Sequence, residues 1–518
     1  MSAVLGVGES IAPPEAGSFL GHPKGLAVLF LTEMWERVSY YGMRSLLVLY
    51  MVNHLFVRPE SGADVLGFNA LKHALETAFG VLTPQALSSQ IYGLYTGFVY
   101  LTPFFGGMLA DRLLGRRRAV IVGAVLMAIG HFLMASEHLF FVALMVLIVG
   151  NGCFKPNIST QVGGLYAQGD PRRDRAYSVF YVGVNLGAFI APLICGTLGQ
   201  VVGWHYGFAA AGVGMVIGLA LYVSNQDKLP IERAPTASTT TPWLGVAAFV
   251  VGVPIAIVVL LWMLTLPPVV PATLAVIVIV SGLVWMIRLP RHERPRVMAL
   301  SAACLVTAAF WAVYEQQGNT LQLWADQSTR WPTVFGFTIP STWYQSFNPF
   351  MIWLIVPLLN LVWAAQARRG KEPTSLQKMA IGCVVLGAGF LVMIVASGDM
   401  PAGARSSVLW LVATSAIFTI GEIYLSPVGL SFVTKVSPAR MVSMMMGVWY
   451  LSSFVGNYMT GYLGTYYETM APAQYFLMLA AIAGVAGLVL FAMNRPLDRI
   501  VGGHDRQQTG EPPAPVAR

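Results

Sequence analysis

Charge is what this sequence has least of. Asp, Glu, Lys and Arg make up 10% of its 518 residues, against 56% hydrophobic residues. A soluble domain carries about a quarter charged residues, and a chain this apolar cannot hide its surface from water by folding alone. The scarcity excludes a soluble globular protein and predicts an integral membrane protein. Cysteine is rare too. Cys153, Cys195, Cys304 and Cys383 all fall inside apolar runs, without disulfide or metal-ligand spacing. They read as small buried hydrophobes, and no metal site is expected. Ten-residue segments of alternating polarity, the mark of a membrane β-barrel, do not occur. H-E-x-x-H, G-x-S-x-G and a Walker A loop are absent as well, which argues against an enzyme and against ATP drive. Histidine does not occupy the centre of any apolar span. His54 and His131 lie near span ends, so carboxylates are the better candidates for carrying protons. The first residues lack the apolar run of a cleavable signal peptide, and the first span is expected to direct insertion.

What is present is a series of apolar segments, most about 20 residues long, the length that crosses a hydrocarbon core about 30 Å thick. Fourteen spans are expected. Six lie near 25–54, 88–110, 118–136, 139–160, 177–202 and 207–224; two near 243–264 and 269–288; six near 297–327, 347–367, 377–396, 407–433, 442–467 and 473–494. The middle pair carries no charge until Arg288 and reads as plain lipid-facing helix. Setting it aside leaves six plus six, the arrangement of a two-bundle transporter with internal repeats. The expected domains are therefore a segment 1–24, a bundle 25–224, a linker 225–296 holding the extra pair, a bundle 297–494 and a tail 495–518. The end of that tail, GGHDRQQTGEPPAPVAR, has the composition of an unstructured segment.

The net charge is +8, but its placement argues against nucleic-acid binding. Arg112, Arg116, Arg117, Arg118, Arg172, Arg173, Arg175, Arg288, Arg291, Arg294, Arg296, Arg368, Arg369, Lys371 and Lys378 fall in loops on one side. The opposite loops hold only Arg58, Lys72, Arg330 and Arg405. The basic side is expected to be cytoplasmic, with both termini there.

Against this background some charges stand at membrane depth, where each costs at least about 2.5–3.5 kcal/mol. Such residues face a bundle interior or water. They are Glu33, Glu36, Arg37, Arg44, Lys155, Glu315 and Glu422. In the first span, EMWERVSYYG, a helix places Glu33, Arg37, Tyr40 and Arg44 within about 60° of one another, flanked by Glu36 and Tyr41. Glu33 and Arg37, at i,i+4, can pair directly. Three charges in five residues exceed the need of an interhelical strut. They suggest a cavity wall that binds charged substrate and moves protons. Lys155 precedes Pro156, which loosens a helix so that backbone can line a cavity; Asn157 follows within bonding reach of a peptide-like group. Glu315, beside Gln316 and Gln317, predicts a polar kink. Glu422 has no basic neighbour in sequence. It must either take a proton or pair with a cation from another helix, such as Lys155.

These residues carry a resemblance. EMWERVSYYG resembles the E-x-x-E-R-F-x-Y-Y-G motif of proton-dependent oligopeptide transporters, a branch of the major facilitator superfamily, with Val38 in place of Phe. GGMLADRLLGRRR resembles the superfamily's loop motif after the second helix, with Gly107, Asp111, Arg112 and Arg116 as its gating positions. FKPNIS, FYVGVNLGAFIAP, EQQGNT and GEIYLSPVGLS resemble patterns of later helices, so the likeness runs over roughly residues 25–490.

The resemblance implies an all-α major facilitator fold of fourteen transmembrane helices, and proton-driven import of di- and tripeptides by alternating access. No cofactor is implied beyond the coupling protons. By motif, Arg37 and Lys155 would receive the peptide carboxylate and Glu422 its ammonium. Tyr40, Tyr95, Asn157, Asn185, Asn348 and Trp449 would line the pocket. Glu33, Glu36 and Glu315 would be proton-linked, with Arg37 switching between them and substrate. The expected partners are short peptides, protons and the lipids of a bacterial cytoplasmic membrane. The alternative within the same class is a proton-coupled carrier of nitrate or another small anion or peptide-like compound. Relatives specialised that way tend to lose the first-helix glutamates, which are intact here.

Overall fold

The structure is a computed structural model that describes residues 19–57, 64–167, 170–230, 242–267, 269–398 and 404–509. The expected N-terminal segment lies outside the described residues up to residue 18, as does Arg58. Sixteen α-helices follow one another: α1 (Lys24–Tyr50), α2 (Phe68–Phe79), α3 (Pro84–Leu109), α4 (Arg116–Leu133), α5 (Phe140–Gly164), α6 (Arg172–Ala191), α7 (Trp204–Ser224) and α8 (Pro242–Met263). Then come α9 (Val269–Arg288), α10 (Arg294–Tyr314), α11 (Thr320–Gln327), α12 (Phe347–Arg368), α13 (Ser375–Gly398), α14 (Val408–Val436), α15 (Val442–Gly464) and α16 (Pro472–Thr509). The described strands are two-residue pieces: Thr329–Arg330 parallel to Ser406–Ser407, and Thr333–Val334 antiparallel to Phe337–Thr338.

Nine helical stretches among the described residues are long and apolar enough to cross a membrane. The other five expected spans fall on α1, α3, α4, α9 and α15. In α1 and α4 charge explains why apolarity alone does not mark them: α1 carries Glu33, Glu36, Arg37 and Arg44, and α4 opens on Arg116, Arg117 and Arg118. The span expected near 297–327 is α10 and α11 joined by a tight 3-10 turn, Glu315–Gly318. The kink predicted at Glu315 is present there. Asn319 leaves helical backbone at φ −114°, ψ −101° before the chain resumes. Gln316 ties the loosened turn to α15 by donating from Nε2 to the Thr460 carbonyl at 3.0 Å. The last helix continues to Thr509, into the segment read as an unstructured tail, and residues 510–518 lie outside the described residues.

The chain divides into two compact units. The first comprises residues 1–47, 63–68 and 101–258; the second comprises 48–62, 69–100 and 259–518. In the first unit, Gly106 of α3 meets the backbone of Gly152 on α5 so closely that any side chain there would strike the Gly152 carbonyl. Small residues at membrane interfaces permit this approach. Between α3 and α4 the chain turns through a π-helical stretch, Ala110–Leu114, and Gly115 at φ 78°, a left-handed conformation that glycine adopts without strain. Arg117 then donates from Nη2 to the carbonyls of Leu229 and Pro230, both at 2.7 Å, fastening the start of α4 to the chain beyond α7. The start of α8 is less idle than a plain lipid-facing helix. Its Val246 joins a buried cluster with Leu109, Ala110, Leu114, Ala119 and Cys153.

The core of the second unit is aromatic. Phe390 of α13, Phe418 of α14 and Phe476 of α16 pack ring to ring, with centroids 4.8 and 6.2 Å from Phe390, and Trp324 of α11 meets Phe476 edge-on at 5.3 Å. The first part of α3 belongs to this unit and bonds across to it. Ser89 donates to Asn319 Oδ1 at 2.9 Å, Gln85 Nε2 to the Gly464 carbonyl at 3.1 Å, and Thr83 to Glu468 at 2.9 Å.

Candidate functional site

The first unit gathers the charges of α1. The i,i+4 spacing brings Arg37 Nε to 3.1 Å from Glu33 Oε1, as a helix requires. The same Nε also reaches Glu36 Oε2 at 2.5 Å. Glu33, Glu36 and Arg37 are 4%, 0% and 3% exposed, so this is a buried carboxyl–guanidinium–carboxyl triad rather than a surface pair. Asn151 of α5 reaches Glu36 Oε1 with Nδ2 at 3.5 Å, at the limit of a hydrogen bond. Arg37 also lies over the rings of Tyr40 and Tyr41, 5.3 and 5.9 Å from their centroids, and Arg44 lies 5.8 Å from Tyr41. Cation–π contact gains when water is excluded. Two atoms of the triad remain open. Among the described residues, Arg37 Nη2 and Glu33 Oε2 are buried without a hydrogen-bond partner. A buried unsatisfied group is costly, so these two are the natural points for something to enter.

Lys155 sits on α5, half-buried. Pro156 does not interrupt α5, which runs unbroken to Gly164. Asn157 and Asn185 are buried, and each spends a side-chain donor on its own helix: Asn157 on the Cys153 carbonyl at 2.7 Å, Asn185 on the Tyr181 carbonyl at 2.9 Å. His131 lies toward the end of α4, fully buried, with Nε2 2.6 Å from the Ser39 hydroxyl on α1. The expected gating positions lie where α3 meets α4. Gly107 faces Pro156 at ordinary contact distance. Asp111 pairs with Arg116 at 3.2 Å, and Arg112 is exposed.

The second unit holds the other expected residues. Glu315 is 2% exposed at the 3-10 turn. Tyr95 on α3 and Trp449 on α15 are buried, and the Trp449 ring fills the space over Gly429 where a side chain would collide with it. Glu422 on α14 accepts two hydrogen bonds at Oε2: from the Tyr314 hydroxyl at 2.6 Å and from Asn348 Nδ2 at 2.9 Å. Asn348 also donates to Thr419 Oγ1 at 3.0 Å. Sequence reading missed Tyr314, Thr419 and Asn151. Thr419 stands three residues before Glu422, one helical turn away, a spacing that could have flagged it. Tyr314 is one of 60 aromatic side chains (27 Phe, 13 Trp and 20 Tyr), and nothing in the sequence distinguishes it.

A many-spanned helical protein, with buried carboxylates in each of two compact units, buried arginines on its first span and a basic loop motif after its second, belongs to the class of secondary transporters. The POT family model matches residues 117–478. The chain belongs to the POT family. It is 34% identical to a peptide transporter of Yersinia enterocolitica, covering 96% of this chain and 98% of the relative. It is 33% identical to a di-/tripeptide transporter of Lactococcus lactis subsp. cremoris, covering 94% and 98%. Among solved structures it resembles a POT peptide transporter in complex with alafosfalin, with TM-score 0.76, 34% identity and coverage of 94% of this chain and 97% of the other. A POT family transporter in complex with 5-aminolevulinic acid gives TM-score 0.74 and 29% identity, covering 93% and 98%. The all-helical fold and the family read from the sequence both hold.

Proposed function

We propose that this protein is a proton-coupled symporter that imports di- and tripeptides by alternating access. The observation that carries this reading is the α1 triad: two buried carboxylates share one guanidinium through Nε, while Nη2 has no hydrogen bond among the described residues. The peptide names of its relatives support the substrate class.

The chemistry is an exchange of partners. With Glu33 and Glu36 ionised, Arg37 is held within α1. A proton on either carboxylate removes one of the two anions that hold it and leaves the guanidinium to a peptide carboxylate, with Lys155 as a second base. Glu422 takes the peptide ammonium, and Tyr40, Tyr95, Asn157, Asn185, Asn348 and Trp449 are the further substrate-contact residues that the family motifs name. Glu315 is the third proton-linked carboxylate. An ion pair 4 Å apart is worth about 4 kcal/mol at an effective dielectric constant near 20. Releasing it shifts a conformational equilibrium by nearly a thousandfold, at about 1.4 kcal/mol per decade. Opening on the cytoplasmic side is governed by Gly107, Asp111, Arg112 and Arg116. The protein resides in a bacterial cytoplasmic membrane with both termini inside, the side its basic loops select. It works without cofactor, metal or nucleic acid.

The test is uptake of dialanine into liposomes holding the purified protein. Accumulation should require an inward proton gradient. Uptake unaffected by a protonophore, or uptake of nitrate in place of dialanine, overturns the proposal.

A further inference from the structure

We propose that Tyr314 is a positioning residue for substrate recognition: its hydroxyl fixes the Glu422 carboxylate in the orientation that receives a peptide's free amino terminus. The inference rests on the reading of Glu422 as the ammonium site and adds a residue that neither the family motifs nor the relatives' names assign.

The geometry is specific. The Tyr314 hydroxyl donates to Glu422 Oε2 at 2.6 Å, within the 2.5–2.7 Å range of charge-assisted O–H···O⁻ bonds. Asn348 Nδ2 donates to the same oxygen at 2.9 Å. The two donors come from different helices, α10 and α12, and converge on a carboxylate carried by α14. One oxygen gripped from two directions leaves the carboxylate little freedom to rotate.

Each donor is itself braced. The Tyr314 ring stacks on Phe310, with centroids 5.5 Å apart and planes 12° apart, and meets Trp311 edge-on at 5.8 Å and 89°. Asn348 is tied to Thr419 Oγ1 at 3.0 Å, and the Thr419 hydroxyl is tied to the Ser415 carbonyl at 2.7 Å. The braces therefore run back to α14 one turn before Glu422. A side chain whose orientation is fixed beforehand loses less conformational freedom on binding, so affinity is gained without a new contact to the ligand. Tyr314 also stands at the last residue of α10, immediately before Glu315. The turn that carries a proposed proton site thus begins at the residue that orients the proposed ammonium site.

The experiment compares Tyr314→Phe, Glu422→Gln and the parent protein in liposomes, using dialanine and N-acetyl-dialanine as competitors of labelled peptide uptake. Phe keeps the ring and its stacking and removes only the hydroxyl, and a thermal melt in detergent checks that the variant folds. The expected result is an inhibition constant for dialanine about tenfold weaker in Tyr314→Phe, the size of a hydrogen bond to a charged group. The constant for N-acetyl-dialanine and the maximal uptake rate should stay unchanged. Glu422→Gln should lose the preference for the free amine altogether. If Tyr314→Phe weakens both competitors equally, its role is structural and the inference fails. If it alters neither while Glu422→Gln loses the preference, the inference fails and the ammonium reading stands. If Glu422→Gln keeps the preference, the ammonium reading fails and the inference falls with it.

Discussion

Replacing Arg37 by lysine keeps the charge on α1 and removes the fork. In the structure the guanidinium uses only one side of its fork. Nε holds Glu33 at 3.1 Å and Glu36 at 2.5 Å, while Nη2 carries no hydrogen bond among the described residues. A lysine presents a single ammonium and cannot hold two carboxylates from one side while offering a separate, rigid donor to a third. The expected loss is one charge-assisted hydrogen bond to the peptide carboxylate, about 1.5–3 kcal/mol. That corresponds to a weakening of about ten- to hundredfold. The assay is competition of labelled dialanine uptake by dialanine and by its carboxy-amidated form. The Arg37→Lys variant should lose affinity for the free acid by that factor and change little toward the amide. An equal loss for both, or none for either, would falsify the assignment of Nη2 to the carboxylate.

Other outcomes follow from the same geometry. Glu33→Gln, Glu36→Gln and Glu315→Gln should retain peptide exchange between the two sides of a liposome while losing proton-driven accumulation; undiminished accumulation in all three removes these carboxylates from the proton path. Gly106→Ala should lower the melting temperature in detergent by overpacking α3 against α5, a change that costs about 1–3 kcal/mol, and an unchanged melt refutes that contact. Outside the membrane, Arg440 beside Glu293 holds that carboxyl below its usual range. Its folded pKa is depressed, so the pair's contribution is present above the ordinary glutamate value of 4.5 and is lost as pH falls through the folded value. Arg440→Gln should therefore lower the melting temperature slightly at neutral pH and converge with the parent below about pH 4.5, flattening the acid limb; an acid limb as steep as the parent's counts against the pair.

Much of the fold is legible because lipid imposes one length and one polarity on every span. The fourteen segments marked by apolarity each coincide with helix, and the buried triad is written in α1 at helical spacing. What the chain hides falls into two kinds. The helix Phe68–Phe79 has twelve residues, too few to cross a membrane, and its Lys72 and Glu76 make it read as loop. Tyr314 and Asn151 are hidden for another reason. Each acts on a carboxylate more than a hundred residues away, Tyr314 on Glu422 and Asn151 on Glu36. Their partners are set by which helices become neighbours, and periodicity along one helix says nothing about that.

Arg117 carries a further consequence. By clasping two carbonyls at Leu229 and Pro230, 112 and 113 residues further along the chain, it welds the start of α4 to the segment that follows α7. Any flexing that transport demands must then be found elsewhere than between them. A spin label on each should report one constant separation throughout the cycle.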